Sequence, residues 1–137
     1  MPNYPLLILL LLTQASSAYA AAQPAYALVF FYRSDCPYCH EFAPKFKALT
    51  QKKQLPSYVF SLDNQPLPDY PAPIPVTPDI SQRFFDNPRS ITVPATFLLN
   101  VNSHKFVRVS VGNVSYAELE QSVDGILSDQ RLLSAMQ

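Results

Sequence analysis

The sequence predicts one α/β domain with a central four-stranded mixed sheet flanked by helices. Apolar runs of strand length alternate with amphipathic stretches of helical period. The first two strand runs are separated by a helical stretch, which implies a parallel pair joined by a right-handed crossover. The last two are separated only by a short turn, which implies an antiparallel hairpin. With 137 residues the chain is long enough to bury a real core.

The first element is not part of the fold. Leu6 to Leu12 is a short apolar run, followed by small and polar residues with signal-peptidase-like sites at Ala18-Tyr19-Ala20 and Ala20-Ala21-Ala22. Residues 1–22 are therefore expected to be an export signal and 23–137 the domain. The run is too short to span a bilayer comfortably, and Thr13, Gln14, Ser16 and Ser17 dilute it. No stable membrane insertion is expected after cleavage. Met1 to Pro5 carries no Lys or Arg and the first charged side chain is Arg33, so the positive end of the signal is expected either from the α-amino group or from a start that lies upstream.

Ala27 to Tyr32 is continuously apolar and aromatic, as in a central strand covered on both faces. Cys36 then falls at the cap of a helix, with Pro37 at the first helical position, where a missing N–H costs nothing. Tyr38, Phe42, Phe46 and Leu49 make one apolar stripe on that helix, and Pro44 inside it predicts a kink. Ser57 to Leu62 is the second strand. Six prolines between Pro66 and Pro78 exclude a helix or central strand there, so residues 66–78 read as a stiff loop insertion. Thr77-Pro78-Asp79 opens a short helix that Asn87-Pro88 stops. Ile91 to Leu99 contains the third strand, opened by Pro94. Lys105 to Val111 is the fourth, with Val107, Val109 and Val111 expected on one face. Ser115 and Glu118 form a capping box for a last helix, whose apolar side is Tyr116, Leu119, Val123, Ile126 and Leu127.

Lys+Arg and Asp+Glu balance at ten each, so the charge offers nothing to a polyanion and no nucleic-acid partner is expected. The chemistry concentrates in Cys36 and Cys39, the only cysteines. At a helix N-terminus, orphan N–H groups and the helix dipole favour a thiolate on the first sulfur. The second lies one turn on, within reach to resolve a mixed disulfide. Cys36 is thus the candidate nucleophile and Cys39 the resolving thiol.

Other readings of the pair remain open at this level. Cys36-Pro37-Tyr38-Cys39-His40 also fits the C-x-x-C-H attachment signature of a c-type haem, although it follows a buried strand and Met136 is the only methionine of the expected mature domain. Zinc would need Cys36, Cys39, His40 and the distant His104, three of them crowded into one turn, and no metal or other cofactor is expected. An inert disulfide would close too short a loop to stabilise much. A redox-inert chaperone or binding module is a further alternative. His40 reads as an exposed first-turn residue and His104 as a turn residue. Asn113-Val114-Ser115 matches a glycosylation acceptor, but Ser115 is explained as a cap. Arg33, Asp35 and Tyr38 rim the pair.

Cys36-Pro37-Tyr38-Cys39 after a buried strand, Ala43-Pro44 in the helix beyond it and Val93-Pro94 before a strand together resemble the thioredoxin superfamily over nearly all of Ala27 to Leu127. The resemblance implies a thioredoxin-like fold, a cis Val93–Pro94 bond packed against the cysteines, and Val93 offering backbone hydrogen bonds to an extended substrate. Pro37, Tyr38, Val93 and Pro94 are then substrate-binding candidates. That superfamily carries a buried acid six residues before the first cysteine; here the position is Phe30. More narrowly, Cys36 to Phe42, Pro75 to Asp79, Phe84-Phe85 and Ala95 to Asn102 resemble the TrbB-type thiol-disulfide isomerases of F-type conjugative transfer systems. This implies a periplasmic oxidoreductase acting on disulfide-containing exported proteins of the transfer apparatus, with a membrane redox partner recycling the pair. Members of that family have a longer segment before the first strand, and its shortness here is expected to leave one sheet edge less protected.

Overall fold

The structure, a computed structural model, describes residues 25–137. The expected export signal, residues 1–22, lies outside the described residues. Along the chain run β1 (Tyr26–Tyr32), α1 (Pro37–Lys53), β2 (Ser57–Ser61), β3 (Ile74–Pro75), α2 (Pro78–Phe84), β4 (Ala95–Asn100), β5 (Phe106–Val111), α3 (Tyr116–Leu127) and α4 (Gln130–Ala135). The strands form one mixed sheet in the order β3-β2-β1-β4-β5. The β1–β2 and β2–β3 pairs are parallel; β1–β4 and β4–β5 are antiparallel.

β1 is the centre of the molecule. From Ala27 to Tyr32 every residue is fully buried, because strands flank both edges and helices cover both faces. Alternation sends Leu28, Phe30 and Tyr32 to the face covered by α1 and α3, where they meet Phe42, Phe46, Leu49, Leu119 and Val123. Val29 and Phe31 go to the other face, with Phe60, Ala95 and Phe97 and the α2 side chains Ile80 and Phe84. Phe30 lies 5.2 Å from Phe42 and 5.1 Å from Phe46, and Phe31 lies 5.0 Å from Phe60, all between ring centroids. Such aromatic pairs add to the burial of area.

The sheet has five strands where four were expected. The added strand, Ile74–Pro75, comes from the proline-rich segment and pairs with Phe60 and Ser61. Val76 extends it by donating its N–H to the Ser61 carbonyl at 3.1 Å. Pro75 has no N–H to give, and it is tolerated because no strand among the described residues pairs on its outer side. The same segment is anchored inward. Leu67 is 2% exposed, and Tyr70 sets its ring 6.2 Å from Phe30 and 6.3 Å from Phe46. The expected weak edge is therefore covered by the chain's own prolines.

Two further differences have local causes. Thr96 pairs with Ser110 but Phe97 with Arg108, so Val109 is an extra residue in β5 and the strand carries a bulge. Val107 and Val109 pack toward α3, whereas Val111 turns to the opposite face beside Ala95 and stands 39% exposed. The three valines do not share a face. After α3, Asp129 caps the additional short helix α4 by accepting the Leu132 N–H at 3.1 Å. Pro44 stands inside α1, which continues through it as a single helix.

The anchoring of the proline-rich segment is testable. Leu67→Ala should cost about 2–4 kcal/mol in urea denaturation, whereas Ala72→Ser, on the exposed part of the same segment, should stay within about 0.5 kcal/mol. The Tyr70 hydroxyl is buried with no hydrogen-bond partner among the described residues. Tyr70→Phe should therefore be neutral or stabilising, by up to about 1 kcal/mol.

Candidate functional site

The site forms where β1 ends. Its last residue, Tyr32, is locked by a hydroxyl donated to the Gln65 carbonyl at 2.6 Å, and the chain then turns through Arg33 to Asp35 into α1. Cys36 is the N-cap of that helix. Its sulfur accepts the Cys39 N–H at 3.1 Å, the role an N-cap oxygen usually plays. The sulfur thus takes the place of a capping oxygen and is fixed toward the open end of the helix. On the other side Cys36 Sγ lies 3.9 Å from the Val93 carbonyl oxygen.

The two sulfurs differ sharply. Cys36 is half-buried and open to a partner, whereas Cys39 is fully buried within the α1 core. Loss of water and then the hydrogen bond to Cys36 push the Cys39 thiol up to about 12, against a smaller opposing effect of the Arg33 backbone. Phe30, from the neighbouring strand, sits in the same core, where the expectation from the resemblance would put a buried acid.

The Val93–Pro94 peptide bond is cis. Val93 packs against both cores, and the buried Pro94 receives the Gly112 N–H on its carbonyl at 2.8 Å. Gly112 has φ +87°, a conformation that side chains resist. Asn113, the next residue, accepts from Lys45 Nζ at 2.8 Å and donates to Glu41 Oε2 at 2.7 Å. The turn after β5 is thus tied both to the cis bond and to the helix bearing the cysteines. Pro37 is exposed at the first helical position, and Tyr38 is 64% exposed. The structure therefore brings Cys36, Cys39, Val93 and Pro94 together, while Tyr38 faces outward.

Asp63 was not singled out from the sequence. Its carboxylate accepts the Ser34 N–H at 3.0 Å, the Ser34 hydroxyl at 2.6 Å and the Ser61 hydroxyl at 3.0 Å. Partial burial alone would raise the Asp63 carboxyl, but these bonds outweigh it and hold it below the usual range. His40 Nε2 reaches the Ser34 carbonyl at 2.6 Å, so Ser34 is held from both sides just before Cys36. No local pattern points to this clamp, because Asp63 lies 29 positions from Ser34.

The family model described as "TraF: F plasmid transfer operon protein" matches residues 13–123, more than half of the chain. Protein TrbB of Escherichia coli (strain K12) is 36% identical over 100 residues, covering 73% of this chain and 55% of TrbB. The chain thus spans about half the length of that curated relative. The crystal structure of StoA from Bacillus subtilis is similar over 74% of this chain and 84% of that one, with a TM-score of 0.53 at 16% identity. A thioredoxin domain of a thiol-disulfide oxidoreductase from Bacteroides vulgatus aligns over 77% of this chain and 81% of its own, with a TM-score of 0.49 at 17% identity. The fold is thioredoxin-like.

Two measurements check the site. In the folded, reduced chain, iodoacetamide should label Cys36 and spare Cys39 up to about pH 10, with rates differing at least about 100-fold. Equal labelling would show that Cys39 is open. The second concerns acid. Because the folded Asp63 carboxyl is held low, its contribution to stability is present above the unfolded value of about 3.9 and is lost as pH falls through the folded value. Asp63→Asn should destabilise by about 1 kcal/mol at pH 7 in a half-exposed site, and the gap to the native chain should close as pH falls through the folded value.

Proposed function

The chain belongs to the TraF family, and we propose that it is a thiol-disulfide oxidoreductase of the disulfide-isomerase type that serves conjugative transfer. One observation carries the chemistry: the half-buried Cys36 sulfur receives a helix N–H at 3.1 Å and lies 3.9 Å from the Val93 carbonyl, beside a fully buried Cys39. The family description, an F plasmid transfer operon protein, supports the setting.

The cycle follows from the two environments. The Cys36 thiolate attacks one sulfur of a substrate disulfide; a Cys36–substrate bond forms, the substrate bond breaks, and the leaving sulfur departs as a thiolate that takes up a proton. The mixed disulfide then has two exits. A substrate thiolate can attack the substrate sulfur of the mixed disulfide, forming a new substrate disulfide and returning Cys36 as thiolate; that is isomerisation. Alternatively Cys39 loses its proton and attacks Cys36, forming the internal disulfide and releasing the substrate as a dithiol. Raising the Cys39 thiol to about 12 slows the second exit and lengthens the time available for the first. This asymmetry supports the isomerase type.

In this reading residues 1–22 are the export signal and the site works in the periplasm, on disulfide-containing exported proteins of the transfer system. A membrane redox partner keeps the pair reduced. Pro37, Val93 and Pro94 border the substrate chain, whose backbone pairs with Val93, and Tyr38 meets it from the rim. The haem alternative gains no support, since Cys39 is enclosed in the core where a porphyrin vinyl group does not reach.

The test is trapping. Cys39→Ala, expressed in cells carrying the transfer system, should accumulate mixed disulfides through Cys36 that dissolve on reduction, and Cys36→Ala should accumulate none. If the Cys39→Ala chain shows no adducts, and a double Cys→Ser variant supports transfer as well as the native chain, the chain acts as a redox-inert binding module instead.

A further inference from the structure

We propose that a cavity of about 370 Å³ beside the cysteine turn is a specificity pocket for a carboxylate on the substrate polypeptide, close to the cysteine that Cys36 attacks. The inference rests on the exchange reading above and deepens it. Arg33 and Arg89 stand on the pocket's walls together with Ser90, Val76 and Ile91. The lining residues include two arginines and no Asp or Glu. A planar guanidinium fork matches a carboxylate better than any other side-chain cation does.

Both arginines are available. Asp35 takes only the Arg33 Nε, at 3.1 Å, and that pair is solvent-exposed, with side chains 47% and 67% accessible. A guanidinium has five N–H donors, so four remain. An exposed pair of this kind binds weakly and gives way to a better partner. Arg89 has no ion pair among the described residues, and it is presented by a shaped turn. Asn87 accepts the Arg89 N–H on its side chain at 3.2 Å and the Ser90 N–H on its carbonyl at 3.0 Å.

Position ties the pocket to the reaction. The Arg33 carbonyl accepts the Cys36 N–H at 3.3 Å, so one wall leads straight to the attacking sulfur. Ser90 and Ile91 lead to Val93, whose carbonyl is 3.9 Å from that sulfur. Both walls therefore converge on the place where a mixed disulfide would form. An extended chain advances about 3.3–3.6 Å per residue. A Glu or Asp one to three positions from the substrate cysteine is thus within range of the two arginines.

The experiment uses the full reduced chain and a set of disulfide-linked peptides with Glu at one of the three positions on either side of the cysteine, against an all-Gln control. Two electrons pass from the chain to each peptide: its S–S bond breaks, the Cys36–Cys39 bond forms, and the two protons end on the released thiols. At low salt at least one Glu position should raise the second-order rate constant of this single turnover about five- to tenfold over the control, and the advantage should shrink as salt is added. Arg89→Gln should bring the Glu-to-Gln ratio within about twofold, Arg89→Glu should favour Lys at the same position, and Arg131→Gln, on α4, should leave the ratio as in the native chain. No Glu advantage at any position, or one that survives the joint Arg33→Gln and Arg89→Gln substitution, overturns the pocket. Reduction of the all-Gln control by the native chain reports on the exchange reading itself, so its absence would strike that reading and not the pocket alone.

Discussion

The rest of the molecule depends on burying β1 on both faces and along both edges. Six consecutive residues with no solvent access leave its C-terminal end nowhere to shift, and Cys36 sits four residues past that end. The antiparallel contact with β4 does more than fill the sheet. It pairs Phe31 with Ala95, next to Pro94, and so brings the Val93–Pro94 bond alongside the cysteine turn. The parallel contact with β2 brings Asp63 within reach of Ser34. The site is assembled from three strand ends because one strand is held from every side. Its geometry is a consequence of core packing rather than of loop preference.

Much of this is legible from residue order, for identifiable reasons. Cys36, Pro37 and Cys39 sit at a helix start whose cap and whose Phe42, Phe46 and Leu49 stripe agree, and local consistency of that kind survives into the fold, although Tyr38, expected in the same stripe, stands exposed. Ser115 and Glu118 do form both halves of the capping box. What escapes is non-local or small. A two-residue edge strand among prolines needs only the hydrogen bonds that Ile74 and Val76 can make around Pro75, and no periodicity announces it. The Val109 bulge carries no glycine or other marker. Asp63 reads as an ordinary strand terminator until its partners from another strand end are seen. α4 had a usable signal, since Asp129 is a good cap and Leu132, Leu133 and Met136 follow at helical spacing.

The proline-rich segment shows how one stretch answers two demands. Its outer half closes the sheet edge with a strand too short, and too rich in proline, to recruit another chain. Its inner half drives Leu67 and Tyr70 against the aromatic core around Phe30. Proline makes both possible, because a stiff segment gives up little entropy when it is laid across a surface.

The same aromatic packing shapes the reactivity of the buried thiol. With Phe30 on the strand beneath it, Cys39 lies in a core of rings and aliphatic chains, and leaving water pushes its proton affinity far above that of an ordinary thiol. Cys36, one turn away, meets the opposite condition: it is half-buried, and its sulfur receives the Cys39 N–H at 3.1 Å. Phe30, which serves the core by filling it, thus also helps to make the two sulfurs unlike, by keeping water from one of them and not from the other.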